Sequence, residues 1–161
     1  MRSLTDIELH TVDGGFSLTY QQRLILRHSA EAPCLWIGAG NADIDMFRGN
    51  FSIKDRLNEK IALNDATVLE QADGWSIRFS RGDAVHSTLR ITRDEQGRLA
   101  LALQNDNHGH NRIWLRLAAQ EQDHIYGCGE QFSYFNLRGK PFPLWTSEQG
   151  VGRNKHSYVT W

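Results

Sequence analysis

A chain of 161 residues is long enough to bury one hydrophobic core and short for two. Its 18 Lys and Arg balance 19 Asp and Glu to a net charge of -1, which argues against nucleic acid or an anionic membrane surface as a partner. No apolar run reaches the roughly 18 residues of a membrane span, and the opening MRSLTDIELH lacks the apolar stretch of a signal peptide, so the expected location is the cytoplasm.

In chain order, Phe16, Leu18 and Tyr20 alternate with Ser17, Thr19 and Gln21, and the same parity resumes at Leu24 and Leu26, the period of a half-buried strand. Leu35-Trp36-Ile37 is a short apolar run that Gly38 and Gly40 are expected to close. Residues 43–57 fit either period, since Ile44, Met46, Phe51 and Ile53 suit helix or strand; strand is the reading adopted. Residues 67–71 and 75–80 flank Ala72-Asp73-Gly74, with Trp75, Ile77 and Phe79 on one face, and predict a hairpin. A second hairpin follows: Val85, Leu89 and Ile91 alternate before Asp94-Glu95-Gln96-Gly97, and Leu99, Leu101 and Leu103 alternate after it. Ile113, Leu115 and Leu117 then share one face, with Trp114 and Arg116 on the other. Short strands separated by turn signals, with no convincing amphipathic helix, repeat or linker, predict an all-β fold, an antiparallel β-sandwich over residues 1–161. Cys34 and Cys128 lie far apart without a C-x-x-C spacing and are expected to be two buried thiols rather than a bridge.

The chemistry concentrates in residues 126–155, YGCGEQFSYFNLRGKPFPLWTSEQGVGRNK, where glycines, prolines, aromatics, carboxylates and four cations predict an ordered loop. Gly127-Cys128-Gly129-Glu130 lacks the third glycine, the helix and the lysine-hydroxyl pair of a phosphate loop, so a tight turn is expected instead. His108-Gly109-His110 has no third metal ligand at useful spacing and sits among Asn and Asp, which favours a solvated turn. No G-x-S-x-G nucleophile elbow is present. Arg138, Lys140, Arg153 and Lys155 suit either an anion site or a solvated rim partly paired with Glu148. Glu130 and Glu148 stand out because carboxylates beside aromatics suit sugar hydroxyls and C–H faces. A glycosidase pair further requires a separation of about 5 Å or about 6.5–9.5 Å across the scissile bond.

Gly127-Cys128-Gly129-Glu130, Leu137-Arg138-Gly139-Lys140 and Leu144-Trp145-Thr146-Ser147-Glu148 resemble the end of the N-terminal β-sandwich of glycoside hydrolase family 31, the α-glucosidase family. The blocks QQRLIL, CLWIG, ADIDMFRGNFSIKD, HNRIWLRLAAQ and GEQFSYF extend that resemblance through nearly the whole chain, weakest at its start. The resemblance implies a galactose-mutarotase-like sandwich belonging to a retaining α-glycosidase of several hundred residues. It implies a sulfoquinovosyl glycerol-like α-glycoside as substrate, and neither a metal nor an organic cofactor. In the family the nucleophile, the acid/base and the sulfonate-recognising residues lie on a C-terminal (β/α)8 barrel, so no catalytic residue is expected here and this chain alone should be inactive. A loop of the sandwich reaches over the barrel mouth, making Glu130, Gln131 and Glu148 the candidates for pocket-edge contacts with substrate; for Glu130 a buried acceptor of its own turn's N–H groups is the competing role.

Two readings follow. In the first, this is the accessory domain of a longer enzyme, with an apolar patch and residues 126–155 exposed where the barrel is missing. In the second, it is a free-standing carbohydrate-binding module, complete at Trp161, that displays Trp36, Trp114 or Trp145 as a platform. The ending Ser157-Tyr158-Val159-Thr160-Trp161, which reads as a strand just begun, favours the first.

Overall fold

The computed structural model describes residues 6–12, 14–47, 50–106, 108–127 and 134–141. Among these there are ten strands and no helix: β1 (Ile7–Val12), β2 (Gly15–Tyr20), β3 (Arg23–His28), β4 (Leu35–Phe47), β5 (Asn50–Ala62), β6 (Asp65–Gln71), β7 (Gly74–Arg81), β8 (Ala84–Arg93), β9 (Leu99–Asn105) and β10 (Arg112–Leu115). They form three sheets, in the orders β1-β2-β3, β10-β4-β5 and β6-β7-β8-β9. The pairs β1–β2, β2–β3, β4–β10, β6–β7, β7–β8 and β8–β9 are antiparallel. The all-β sandwich expected from alternation is the fold observed.

The chain divides into two compact units, Met1–Asn41 with Leu57–Ala119, and Ala42–Arg56 with Gln120–Trp161. The first carries the core. Ile77, Phe79, Leu89 and Ile91 of β7 and β8 cluster with Phe16, Leu18 and Leu26 of β2 and β3 and with Leu35 and Ile37 of β4. Period-two alternation explains the selection, because in β7 Ile77 and Phe79 are buried while Arg78 between them is exposed. Full burial of each such side chain contributes about 1.5–3 kcal/mol.

Both predicted hairpins form. β6 pairs β7 with Val68 opposite Ile77, and β8 pairs β9 with Leu89 opposite Leu103. The second turn is closed by Asp94: its Oδ1 accepts from Gln96 N at 2.9 Å and Arg98 N at 2.8 Å, and its Oδ2 accepts from Arg98 Nε at 2.7 Å. These donors, the Arg98 amide foremost, hold the Asp94 carboxyl below its ordinary pKa.

Three sequence expectations need correction. Val85 is exposed although it shares parity with Leu89 and Ile91. The β7–β8 register shifts between Phe79 and Ser80, so Phe79 faces Ser87 while Ser80 faces Val85, and that extra residue turns Val85 out. Gly38 and Gly40 do not end a strand; both lie inside β4, which runs on to Phe47. A Cβ on Gly38 would stand 2.4 Å from the Glu59 carbonyl oxygen and 2.9 Å from Cζ3 of Trp114, so glycine is required there by close approach rather than by a turn. Residues 43–57 contain two strand segments, the end of β4 and most of β5, rather than one strand.

Candidate functional site

Within the second unit, the described part of the loop is built on Leu137, the one buried hydrophobic side chain among that unit's described residues. Its amide donates to the Ile125 carbonyl at 2.8 Å, tying residues 125 and 137 together. Asn136 organises the backbone beside it. Its Oδ1 accepts from Ile125 N and from Arg138 N, each at 3.1 Å, and its Nδ2 lies 2.9 Å from His124 Nδ1. The turn that follows is closed by Lys140 N donating to the Leu137 carbonyl at 3.1 Å, with Gly139 at φ +69° supplying the left-handed position. Upstream, Asp123 caps its own turn by accepting from Gln120 N at 2.7 Å.

The two described cations of this loop are engaged. Arg138 donates from Nη1 to the carbonyls of Gln120 and Asp123, so its guanidinium braces backbone. Lys140 Nζ sits 4.6 Å from the centroid of Tyr134. Of the suggested anion site, Arg138 and Lys140 are therefore structural, and Arg153 and Lys155 lie outside the described residues. Glu130, Gln131 and Glu148, the pocket-edge candidates, also lie outside them, as do Cys128 and Trp145. Among the described residues of the loop, Tyr126 and Phe135 pack at 5.0 Å between centroids, yet Phe135 is 87% exposed.

In the first unit, Trp36 and Trp114 are direct cross-strand partners on β4 and β10. Lys60 Nζ lies 5.3 Å from the Trp36 ring and 4.6 Å from the Trp114 ring, and the Arg116 guanidinium carbon lies 5.3 Å from Trp36. Arg116 is fixed there by donating from Nη2 to the carbonyls of Ala32 at 3.0 Å and Pro33 at 2.8 Å. Cations stacked on the rings make this a braced ladder and not the bare aromatic platform that a free-standing sugar-binding module requires. His110, expected in a solvated turn, instead folds in: its Nε2 lies 3.2 Å from Glu59 Oε1 and its side chain is 10% exposed. His108 remains exposed in the turn. No group of three or more His, Cys, Asp or Glu among the described residues is placed to hold a metal ion.

One buried polar centre carries no signal in the sequence. His28 on β3 donates from Nε2 to the Asn64 carbonyl at 3.1 Å and accepts at Nδ1 from Cys34 N at 3.4 Å, a tautomer assigned from these partners. Its ring stacks on Phe16 at 5.6 Å and meets Phe79 edge-on at 5.3 Å. Burial lowers the pKa of His28 and pushes the Cys34 thiol up to about 11. The expected buried, free thiol is thus found at Cys34.

Comparison with known proteins places this architecture. Residues 37–159 match the family model described as the glycosyl hydrolase 31 N-terminal galactose mutarotase-like domain. The chain is 71% identical over 158 residues to a sulfoquinovosidase of Escherichia coli (strain K12), covering 98% of this chain and 23% of that protein. It is 40% identical over 154 residues to a sulfoquinovosidase of Agrobacterium fabrum (strain C58 / ATCC 33970), covering 96% of this chain and 22% of the relative. A solved family 31 sulfoquinovosidase from E. rectale, in complex with the aza-sugar inhibitor IFGSQ, superposes with a TM-score of 0.76 at 40% identity, covering 96% of this chain and 22% of that one. The chain thus spans less than a quarter of the length of these relatives, and it belongs to the glycosyl hydrolase 31 N-terminal galactose mutarotase-like domain family.

Proposed function

We propose that this chain is the N-terminal accessory domain of a longer, cytoplasmic, retaining α-glycosidase that hydrolyses sulfoquinovosides such as sulfoquinovosyl glycerol. The observation that carries the reading is 71% identity across 98% of the chain to a sulfoquinovosidase of which it matches only 23%. In this reading the catalytic carboxylates lie on a (β/α)8 barrel that follows the domain, the sandwich supports that barrel, and the loop of residues 126–155 reaches the substrate pocket. The exposed aromatic surface of Tyr126, Tyr134 and Phe135 supports it, since such a patch on a complete domain is costly in water. So does the occupied Trp36–Lys60–Trp114 ladder, which argues against the sugar-binding module.

Glu130, Gln131 and Glu148 are the pocket-edge residues in this account, accepting hydrogen bonds from substrate hydroxyls. A charge-assisted bond is worth about 1.5–3 kcal/mol, so Glu130→Ala or Glu148→Ala in the full-length enzyme should lower kcat/KM by about 10- to 150-fold, with the unfolding midpoint preserved. Wild-type kinetics in both variants would refute the pocket-edge role.

A further inference from the structure

Two clefts of the first unit share Arg27, Ser29 and Ala32. The smaller, of about 120 Å³, also meets Arg116 and Leu117. The larger, of about 470 Å³, continues along Val12, Phe16 and Leu24, and its size is that of a small-molecule site, roughly 300–1,000 Å³. The walls are fastened by backbone. Ala118 N donates to the Ile25 carbonyl and Arg116 N to the Cys34 carbonyl, each at 2.8 Å, which ties residues 116–118 to β3 and to the residue before β4. Opposite them, Ser29 N donates to the Ala32 carbonyl at 3.3 Å, and Ala32 N donates back to the Ser29 carbonyl at 3.2 Å and to Ser29 Oγ at 3.1 Å. Ser29 Oγ thus accepts from its own turn and keeps its hydroxyl hydrogen for a ligand.

Charge and shape narrow the ligand. Two guanidiniums line these clefts, and among the described residues no Asp or Glu does. Arg27, exposed opposite Ser17 in the β2–β3 pairing, has no hydrogen-bond or ion-pair partner among the described residues. Arg116 commits Nη2 to the Ala32 and Pro33 carbonyls, which leaves Nε and Nη1 uncommitted among the described residues. Guanidiniums grip oxyanions through paired N–H donors, and like charges sharing a cleft favour an anion between them. An inorganic oxyanion would leave the larger cleft, with Val12 62% exposed, in water. We infer that the two clefts form one binding site for a small organic anion, its sulfonate, phosphate or carboxylate head on Arg27, Arg116 and the Ser29 hydroxyl and its apolar tail along Val12 and Leu24 over Phe16. All of these residues belong to the first unit, so the site is independent of the proposed hydrolase activity.

The test is phenylglyoxal labelling of the full-length natural protein, with the rate read at Arg27 by peptide mass spectrometry, alone and with sodium hexane-1-sulfonate, 1-hexanol or inorganic sulfate. Hexane-1-sulfonate at about ten times the concentration giving half-maximal protection should slow labelling of Arg27 about tenfold. Arg78, exposed on β7, should label at an unchanged rate. Hexanol should not protect, and sulfate should protect more weakly than the sulfonate. Because the rate is read at Arg27, binding of the sulfonate to a catalytic pocket elsewhere does not register. Val12→Asn, at an exposed position, should weaken protection by hexane-1-sulfonate and leave that by sulfate unchanged. No protection by the sulfonate, or equal slowing at Arg78, would overturn the inference. So would equal protection by hexanol, which leaves the guanidiniums without a role, or by sulfate or in Val12→Asn, which leaves the apolar wall without one. An Arg27 that does not react in the ligand-free protein would also overturn it, by showing the clefts to be covered.

Discussion

Acidification should weaken this fold through His28, a neutral imidazole between two aromatic rings. Protonation places a second N–H at Nδ1, the atom that accepts from Cys34 N, and puts a charge where the side chain is 1% exposed. Asp65 nearby favours the charged form and Arg116 opposes it, but desolvation dominates and the folded pKa lies below the ordinary 6.5. The unfolded chain therefore binds more protons than the folded one once pH falls below about 6.5, and stability declines from there until the folded pKa is reached. One differential proton sets a limiting slope of about 1.4 kcal/mol per pH unit, a large fraction of a typical stability of about 5–15 kcal/mol. The assay is urea unfolding of the wild type and of His28→Gln between about pH 7.5 and about pH 5.5, the range in which histidine titrates. Glutamine keeps polar atoms but does not titrate, so the variant should start less stable and lose less on acidification. Parallel pH profiles for the two proteins would refute the role given to His28.

Two further outcomes follow from the first unit. Gly74 opens β7 at φ +152°, and a Cβ there would stand 1.9 Å from the Ile91 carbonyl oxygen, so Gly74→Ala should cost about 1–3 kcal/mol for the backbone conformation alone, with displacement of β8 adding to it; an unchanged urea midpoint would contradict this. In a Cys128→Ser background, Cys34 should resist thiol reagents at mildly alkaline pH until the protein unfolds, because it is buried and its pKa is raised to about 11; labelling at the rate of a free small thiol would show the site to be open.

The legible parts of the fold were those where one face meets the core. β7 and β8 bury Ile77, Phe79, Leu89 and Ile91 at period two, and turn chemistry at Asp73-Gly74 and Asp94 to Gly97 marks their hairpins. β1 escaped, because only Ile7 of its six residues is fully buried and alternation is faint in IELHTV. Residues 43–57 were ambiguous for a related reason: Ile44, Met46, Phe47 and Ile53 are all exposed, so among the described residues no buried face marks a period. Val85 was misplaced because a bulge is invisible to parity. In the sequence Glu130 and Glu148 stand out only as carboxylates among glycines and aromatics; their pocket-edge role comes from the family resemblance, and both lie outside the described residues. Asn136 and Arg138, which hold the described loop together, were hidden because each reaches backbone groups eleven or more residues away.

The central claim is that this domain supports sulfoquinovoside hydrolysis without performing it. The most direct measurement is release of p-nitrophenol from its α-sulfoquinovoside by the full-length natural product and by residues 1–161 in parallel, with the intact mass of the former. The account predicts a long, active enzyme beside an inert 161-residue domain. Hydrolysis by the domain alone, or a natural product that ends at Trp161, would contradict it.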